Sequence, residues 1–322
     1  MKFTKGLIKA YSKMGQKGAA SGIGMLEVVK NDPDLKVVVA DSIAIASLDR
    51  FYGLYPDKVI NAGIAEQCMV SLAAGIASEN KGSVFAFTYA AFIVARALEQ
   101  VRLNLAYHKF NVKIVGNSAG FAMEMLGVSH WAVEDIAFTR ALPNMTVLSA
   151  ADSLQAIKMI IAADRIDGPV YVRLSGGQNL PVVYEDDFEF EVGKAITLRE
   201  GKDIAIVATG LMVYEACRAA DELMGESITC KVIDMHTIKP LDTIILDELF
   251  DNFDLIVTVE EHNIIGGLGS AVAEYKSTKN SKSRQVLIGV DDRYLKLGTQ
   301  QYIWEQYGLT AHKIVERIKN EL

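Results

Sequence analysis

Short runs of β-branched and aliphatic residues recur along this chain, separated by segments whose apolar residues fall at helical spacing. This alternation narrows the possible folds more than any other feature. "LKVVVAD" (35–41), "SVFAF" (83–87), "NVKIVGN" (111–117), "NMTVLSA" (144–150) and "PVYVRLS" (169–175) have the length and composition of buried strands. Between them, "FIVARALEQVRLNLAY" (92–107) and "SLQAIKMIIAAD" (153–164) predict helices. Buried strands that alternate with helices predict a parallel sheet covered on both faces. A glycine-, proline- and acid-rich stretch over 176–201 then breaks the rhythm and predicts a linker with a hairpin. Alternation resumes in "DIAIVATG" (203–210), "ITCKVIDMH" (228–236), "DLIVTVEEH" (254–262) and "QVLIGVDD" (285–292). The expected fold class is α/β, with two domains over 1–180 and 202–322, a linker over 181–201, and a mostly parallel sheet flanked by helices in each domain. Half of the 322 residues are hydrophobic, which is enough for a core in both.

Several function classes drop out. No apolar run approaches the ~18 residues of a membrane span, so no membrane partner is expected. The start, "MKFTKGLIKAYSKMGQKG", is basic and lightly amphipathic but lacks the continuous apolar stretch and cleavage site of a secretory signal. The net charge is −7 and no basic stripe with interleaved aromatics occurs, which argues against nucleic acid. Cys68, Cys217 and Cys230 are odd in number and widely spaced, so neither a disulfide framework nor a zinc site is expected, and a reducing cytoplasm suits them. Clustered metal ligands, a Walker loop and a serine elbow are missing.

Against that background one carboxylate stands out. In "VINAGIAEQCMVSLAAGIA" (59–77), Glu66 heads a segment built to be buried. A first-turn acid gains about 0.3–1 kcal/mol from the helix dipole, and that alone would explain it. A carboxylate among Ile64, Ala65, Met69 and Val70 also has its charged form disfavoured by desolvation, which suits proton sharing with a bound heterocyclic nitrogen. Phe85 and Phe87 alternate on a strand and read as core. Tyr89 and Phe92 fall where that strand gives way to a helix, at the edge where parallel sheets bind ligands, and could stack on a flat ring or simply pack in the core. His130, in "GVSHWAVEDIA", follows Ser129 as a plausible N-cap with Glu134 and Asp135 soon after. A first-turn histidine is held neutral and could polarise a carbonyl, although a structural histidine fits as well. "EEHNIIGGLGS" (260–270) fails as a dinucleotide loop because Val272 stands where the third glycine belongs. It reads as a tight turn, with Glu261 and His262 in a domain or subunit contact.

These residues carry a resemblance. "NAGIAEQCMVSLAAGIA" resembles the glycine–x–x–glutamate signature of the transketolase pyrimidine-binding domain. "FAFTYAAFIVARALEQVRLNLAY" and "SHWAVEDIAFTRALPNMTVLSAAD" resemble the aromatic segment and histidine loop that follow, and "MHTIKPLD" with "VTVEEHNIIGGLGSAVAE" resembles the C-terminal domain. The similarity runs from about residue 20 to the end. It implies a thiamine diphosphate cofactor, with Glu66 paired to the aminopyrimidine N1′ so that the imino form takes up the thiazolium C2 proton. It also implies that Tyr89 and Phe92 pack on that ring, that His130 faces the substrate and that Asp41 borders the thiazolium side. The family's Gly-Asp-Gly…Asn motif, which holds magnesium (or calcium) and the diphosphate, has no counterpart, since the Asp-Gly pair here, Asp167-Gly168, just precedes a strand. The resemblance therefore implies the C-terminal half of a split enzyme, completed by an N-terminal, diphosphate-binding subunit in an assembly of two plus two chains. Sugars or sugar phosphates are the implied substrates.

Two departures bear on substrate choice. Leu126 occupies the position of the family aspartate that contacts a substrate hydroxyl, and an unpaired buried hydroxyl costs ~1–3 kcal/mol. Gly176 occupies the position of a phosphate-binding arginine, for which Lys17 or Arg173 are the candidate replacements. An atypical acceptor is the expected consequence. The β subunit of a 2-oxo acid dehydrogenase and a non-catalytic scaffold subunit are the rival readings.

Overall fold

The computed structural model describes residues 2–294 and 296–322. Its strands form two sheets. In the first, β1 (Lys36–Val39), β2 (Val59–Asn61), β3 (Val84–Tyr89), β4 (Val112–Ala119), β5 (Thr146–Ser149) and β6 (Val170–Ser175) are parallel, in the order β5-β6-β4-β3-β1-β2. The second contains β7 (Ile196–Arg199), β8 (Ile204–Ala208) and β9 (Cys230–Asp234). After them β10 (Thr237–Lys239) returns to the first sheet and lies antiparallel on β5. β11 (Leu255–Asn263) and β12 (Arg284–Val290) complete the second sheet as β12-β11-β8-β9-β7, with β7 antiparallel to β9. Both sheets are mostly parallel and helix-flanked, as the alternation predicts.

The expected linker needs correction. Ile196–Arg199 forms β7 and pairs with β9, so no hairpin closes within 176–201. The reason is packing: Ile196 and Leu198 alternate inward onto the second sheet's core while Thr197 and Arg199 face out.

The first sheet separates two apolar layers. Val84 and Ala86 pack with Met69, Val70 and Ala73 of the helix Glu66–Glu79. Phe85 and Phe87, stacked at 6.2 Å, face Met25, Phe51, Met159 and Ile160 on the opposite side, where the core reading put them. The chain steps from β1 to β2 and then crosses back over β1 to β3. Parallel sheets open a ligand crevice at such a reversal, outside the strands' carboxyl ends. Asp41, Asn61 and Tyr89 end or follow those three strands.

The carboxyl end of β11 abuts the first sheet, so the expected domain contact of Glu261 and His262 is what forms. Glu261 Oε1 accepts from the Phe121 N–H (3.2 Å), Gln300 Nε2 (2.8 Å) and Trp304 Nε1 (2.6 Å). His262 donates from Nδ1 to its neighbour's carbonyl at Asn263 and accepts from the Ala137 N–H at Nε2, while burial pushes its pKa down to about 4. Glu260 caps the helix Leu268–Lys276 through the Leu268 and Gly269 N–H groups (2.7 and 2.8 Å), and burial raises its carboxyl to about 7. A Cβ on Gly267 would sit 2.0 Å from the Glu260 carboxylate, so the glycine loop is a packing turn, as read. Among the described residues no helix is long and apolar enough to cross a membrane.

Candidate functional site

Glu66 opens the helix Glu66–Glu79 at the reversal crevice and is 3% exposed. Its surroundings differ from the apolar nest expected from sequence. Ile64 turns out to solvent at 79% exposure, and Arg96 Nη1 donates to Glu66 Oε2 at 2.8 Å. The acid therefore finds an ionic partner within the chain. Arg96 lies one helical turn beyond Phe92, and its guanidinium sits 4.1 Å over the Phe92 ring.

Tyr89 ends β3 and Phe92 starts the helical segment after it, which brings their rings to 5.4 Å, edge to face. His130 closes the set, 5.4 Å from Tyr89 and 5.0 Å from Phe92, both edge to face. Partial burial raises the Tyr89 hydroxyl above its ordinary pKa. Four sequence-predicted residues thus converge, Glu66 joining the aromatic three through Arg96.

The local structure around His130 is not the one predicted. His130 caps the carboxyl end of a tight helical segment, Glu124–Ser129, and the next helix begins at Asp135 with Glu134 as its N-cap. Ser129 is no N-cap, because Gly127 (φ +69°) turns the chain ahead of it. The first-turn dipole argument for a neutral imidazole falls with it. Hydrogen bonding bears instead on which nitrogen carries the proton when the ring is neutral. The Ser129 hydroxyl donates to the Leu126 carbonyl (3.1 Å), so toward His130 Nδ1 (2.9 Å) it can only accept. That places the neutral ring's proton on Nδ1 and leaves Nε2 as an acceptor.

Among the described residues, no hydrogen bond or ring contact joins the remaining sequence candidates to this cluster. Asp41 is exposed, has φ +51° and exchanges hydrogen bonds with Asn61, its N–H donating to Oδ1 (2.9 Å) and its Oδ1 accepting from Nδ2 (3.2 Å). Leu126 is half exposed, on the same segment as His130. Gly176 is buried at φ +72°, and a Cβ there would lie 2.7 Å from Leu180 Cδ2 and 3.1 Å from Leu211 Cδ1. Its glycine is a backbone requirement. Arg173 is fully buried and already bonded to Asp135, Ser175, Ala132 and Glu261, so it cannot replace a phosphate-binding arginine. Lys17 is half-buried, and desolvation lowers its ammonium pKa.

A cavity of about 450 Å³ adjoins Phe92 and Arg96, with Ser129, Glu134, Asp135 and Tyr294 in its wall. Tyr294, from the second half of the chain, donates to Glu134 Oε1 at 3.0 Å. Sequence reasoning missed Arg96, Asn61 and Tyr294. A signal existed for Arg96 alone, as a cation at i+4 from an aromatic already under suspicion. Among the described residues no group of three or more His, Cys, Asp or Glu could hold a metal ion. The arrangement brings together two partly exposed aromatic rings, a buried carboxylate and an imidazole acceptor.

This combination of sheet reversal, buried acid and aromatic–histidine cluster accompanies a match to two domain families. Residues 16–180 match the pyrimidine-binding domain of transketolase and residues 193–314 its C-terminal domain. The chain belongs to the transketolase family of transferases. Within it, the chain is similar over nearly its full length to proteins that are themselves separate subunits or sections. It is 38% identical to a putative transketolase C-terminal section of Methanocaldococcus jannaschii, over 95% of this chain and 96% of that one. It is 39% identical to a 6-deoxy-6-sulfo-D-fructose transketolase subunit of a Clostridium species (90% and 89%). It is 40% identical to an apulose-4-phosphate transketolase subunit of Phocaeicola vulgatus (90% and 92%). A solved split-gene transketolase, an inactive beta4 tetramer, superimposes with a TM-score of 0.84 at 40% identity, covering 94% and 96% of the two chains.

Proposed function

We propose that this chain is the pyrimidine-binding subunit of a split, thiamine diphosphate-dependent transketolase that moves a two-carbon ketol unit from a ketose to an aldehyde or ketone acceptor. The observation that carries the reading is the convergence of Glu66, Tyr89, Phe92 and His130, from four separate elements, at the reversal crevice of the first sheet. These residues fit the pyrimidine side of the cofactor, since Glu66 Oε1 has no partner among the described residues and the Tyr89 and Phe92 side chains are partly exposed. Bound thiamine diphosphate would supply a carbon nucleophile for ketol cleavage. Glu66 would share a proton with the ring nitrogen, Tyr89 and Phe92 would hold the ring, and Asp41 would lie toward the thiazolium. His130 offers Nε2 to a substrate hydroxyl. The diphosphate and its magnesium (or calcium) ion belong to an N-terminal, diphosphate-binding subunit, two copies of each chain forming the cytoplasmic enzyme. The domain limits 1–180 and 202–322 accompany this reading.

Leu126 and Gly176 support an atypical acceptor, because neither supplies the carboxylate or guanidinium of the family pattern. Relatives named for sulfofructose and apulose 4-phosphate are in keeping with that. The test is reconstitution with the diphosphate-binding chain and a panel of carbonyl acceptors. This chain alone, given thiamine diphosphate and magnesium, is expected to be inactive and the pair active. Glu66→Gln is expected to assemble yet lose ~10²–10⁴-fold in turnover, the range of general acid–base catalysis. Turnover by the chain alone, or an indifferent Glu66→Gln enzyme, would overturn the reading.

A further inference from the structure

Arg96 touches two members of the site. Its Nη1 holds Glu66 Oε2 at 2.8 Å, and its Cζ lies 4.1 Å from the Phe92 ring centre. The pairing divides the carboxylate: Oε2 is taken, and Oε1 has no partner among the described residues. The two ends of the pair also differ. Glu66 is 3% exposed while the Arg96 side chain is half exposed, on the cavity wall. An exposed ion pair contributes little to stability. Here the acid is buried, and a buried carboxylate without a partner is costly. Arg96 therefore decides where this carboxylate points. Guanidinium suits the task, because its Cζ sits over the Phe92 ring while one N–H reaches the acid, and an ammonium offers no such planar fork.

We propose that Arg96 is a positioning residue that holds Glu66 by Oε2, so that Oε1 is the oxygen presented to the nitrogen of a bound aminopyrimidine, and that ties this acid to the Phe92 ring face. The inference deepens the thiamine reading and rests on it. A pyrimidine entering the crevice meets the acid and the aromatic face already aligned, which lowers the ordering cost of binding.

The test uses the complex reconstituted with the diphosphate-binding subunit, in wild-type, Arg96→Met, Arg96→Lys and Glu66→Gln forms. Assembly is followed by light scattering, affinity for thiamine diphosphate with magnesium by calorimetry, and kcat and KM by assay. Arg96→Met is expected to assemble, to bind the cofactor about tenfold more weakly, and to lose roughly 10–100-fold in kcat, less than loss of the acid itself. The KM values of both sugars are expected to stay within about threefold, since the residue acts on the proton-sharing group and not on the sugar. Arg96→Lys keeps the charge without the plane and is expected to recover little; should Arg96→Met fail to assemble, it carries the same test. Unchanged cofactor affinity and kcat would overturn the proposal. So would a tenfold rise in sugar KM at constant kcat, which would make Arg96 a reader of the substrate's anionic group. Glu66→Gln separates the two levels: if it retains full turnover the thiamine reading fails, whereas an inactive Glu66→Gln enzyme beside a fully active Arg96→Met enzyme defeats the positioning role alone.

Discussion

Arg173 and Asp135 form an ion pair sealed from solvent, with Nε 2.8 Å from Oδ2. The pair joins three parts of the molecule. Arg173 lies on β6, Asp135 begins the helix after the His130 segment, and the Arg173 Nη2 group donates to the carbonyls of Ala132 (3.1 Å) and Glu261 (2.9 Å), the latter on β11. Tyr171 donates to the same Oδ2 at 2.6 Å. The backbone just after His130 is thus anchored, at Ala132 and Asp135, by a charge network spanning both halves of the chain.

Removing one partner should therefore be worse than removing both. Arg173→Met strands a buried carboxylate and is expected to cost ~3–5 kcal/mol, while the double change Arg173→Met with Asp135→Asn is expected to recover part of that. Urea unfolding of the three proteins checks this. Equal stability of the single variant and wild type would show that the network is not what holds this region.

Restoring the family's arginine should not restore phosphate recognition. At Gly176 the backbone is left-handed and Leu180 occupies the space a side chain needs. Gly176→Arg is expected to destabilise by ~1–3 kcal/mol through strain. The KM for a phosphorylated acceptor is expected to stay unimproved. Thermal melts and a KM comparison decide, and a tenfold better KM would show that the loop adapts.

Asp234 sets a pH dependence. It is buried at the seam, where Oδ2 accepts from Tyr184 and from Gln155 Nε2 (2.7 Å). Burial pushes its carboxyl up to about 7, against 3.8 for an ordinary aspartate. The folded chain keeps this proton over a range in which the unfolded chain releases it. The group's contribution is full below the lower value and is lost as pH rises toward the upper one. His236 and His262, both lowered to about 4, act in the opposite direction but are shared by wild type and variant. Asp234→Asn is expected to be less stable than wild type at acid pH and to close that gap in mildly alkaline buffer. Thermal unfolding at both ends measures the difference, and a gap independent of pH would contradict the assignment.

The sequence was most legible where local pattern and tertiary role coincide. β3, β4 and β6 are buried along nearly their whole length because helices cover both faces, and their largely apolar composition predicts this. β7 and β10 escaped notice because each is a short antiparallel edge strand outside the strand–helix alternation and takes its identity from the neighbour it pairs with. Glu66, Tyr89, Phe92 and His130 were recognisable by chemical type and order. The polar partner of Glu66 lies 30 residues away, a pairing that helix period cannot reveal. The His130 segment was misread because one left-handed glycine, Gly127, moved the helix start to Asp135.

β10 has a further consequence. It is drawn from the second half of the chain, yet it covers the outer edge of β5 through Thr237 opposite Leu148 and Lys239 opposite Val147. Lys239 Nζ also donates to the carbonyls of Arg140 and Leu142, beside the helix that follows the His130 segment. A fragment ending after β6 would bare a row of unpaired backbone groups on β5, the kind of border that recruits stray strands and nucleates aggregates. The two halves are therefore poor candidates for separate expression: the later one supplies the selvedge that keeps the earlier one from fraying into its neighbours.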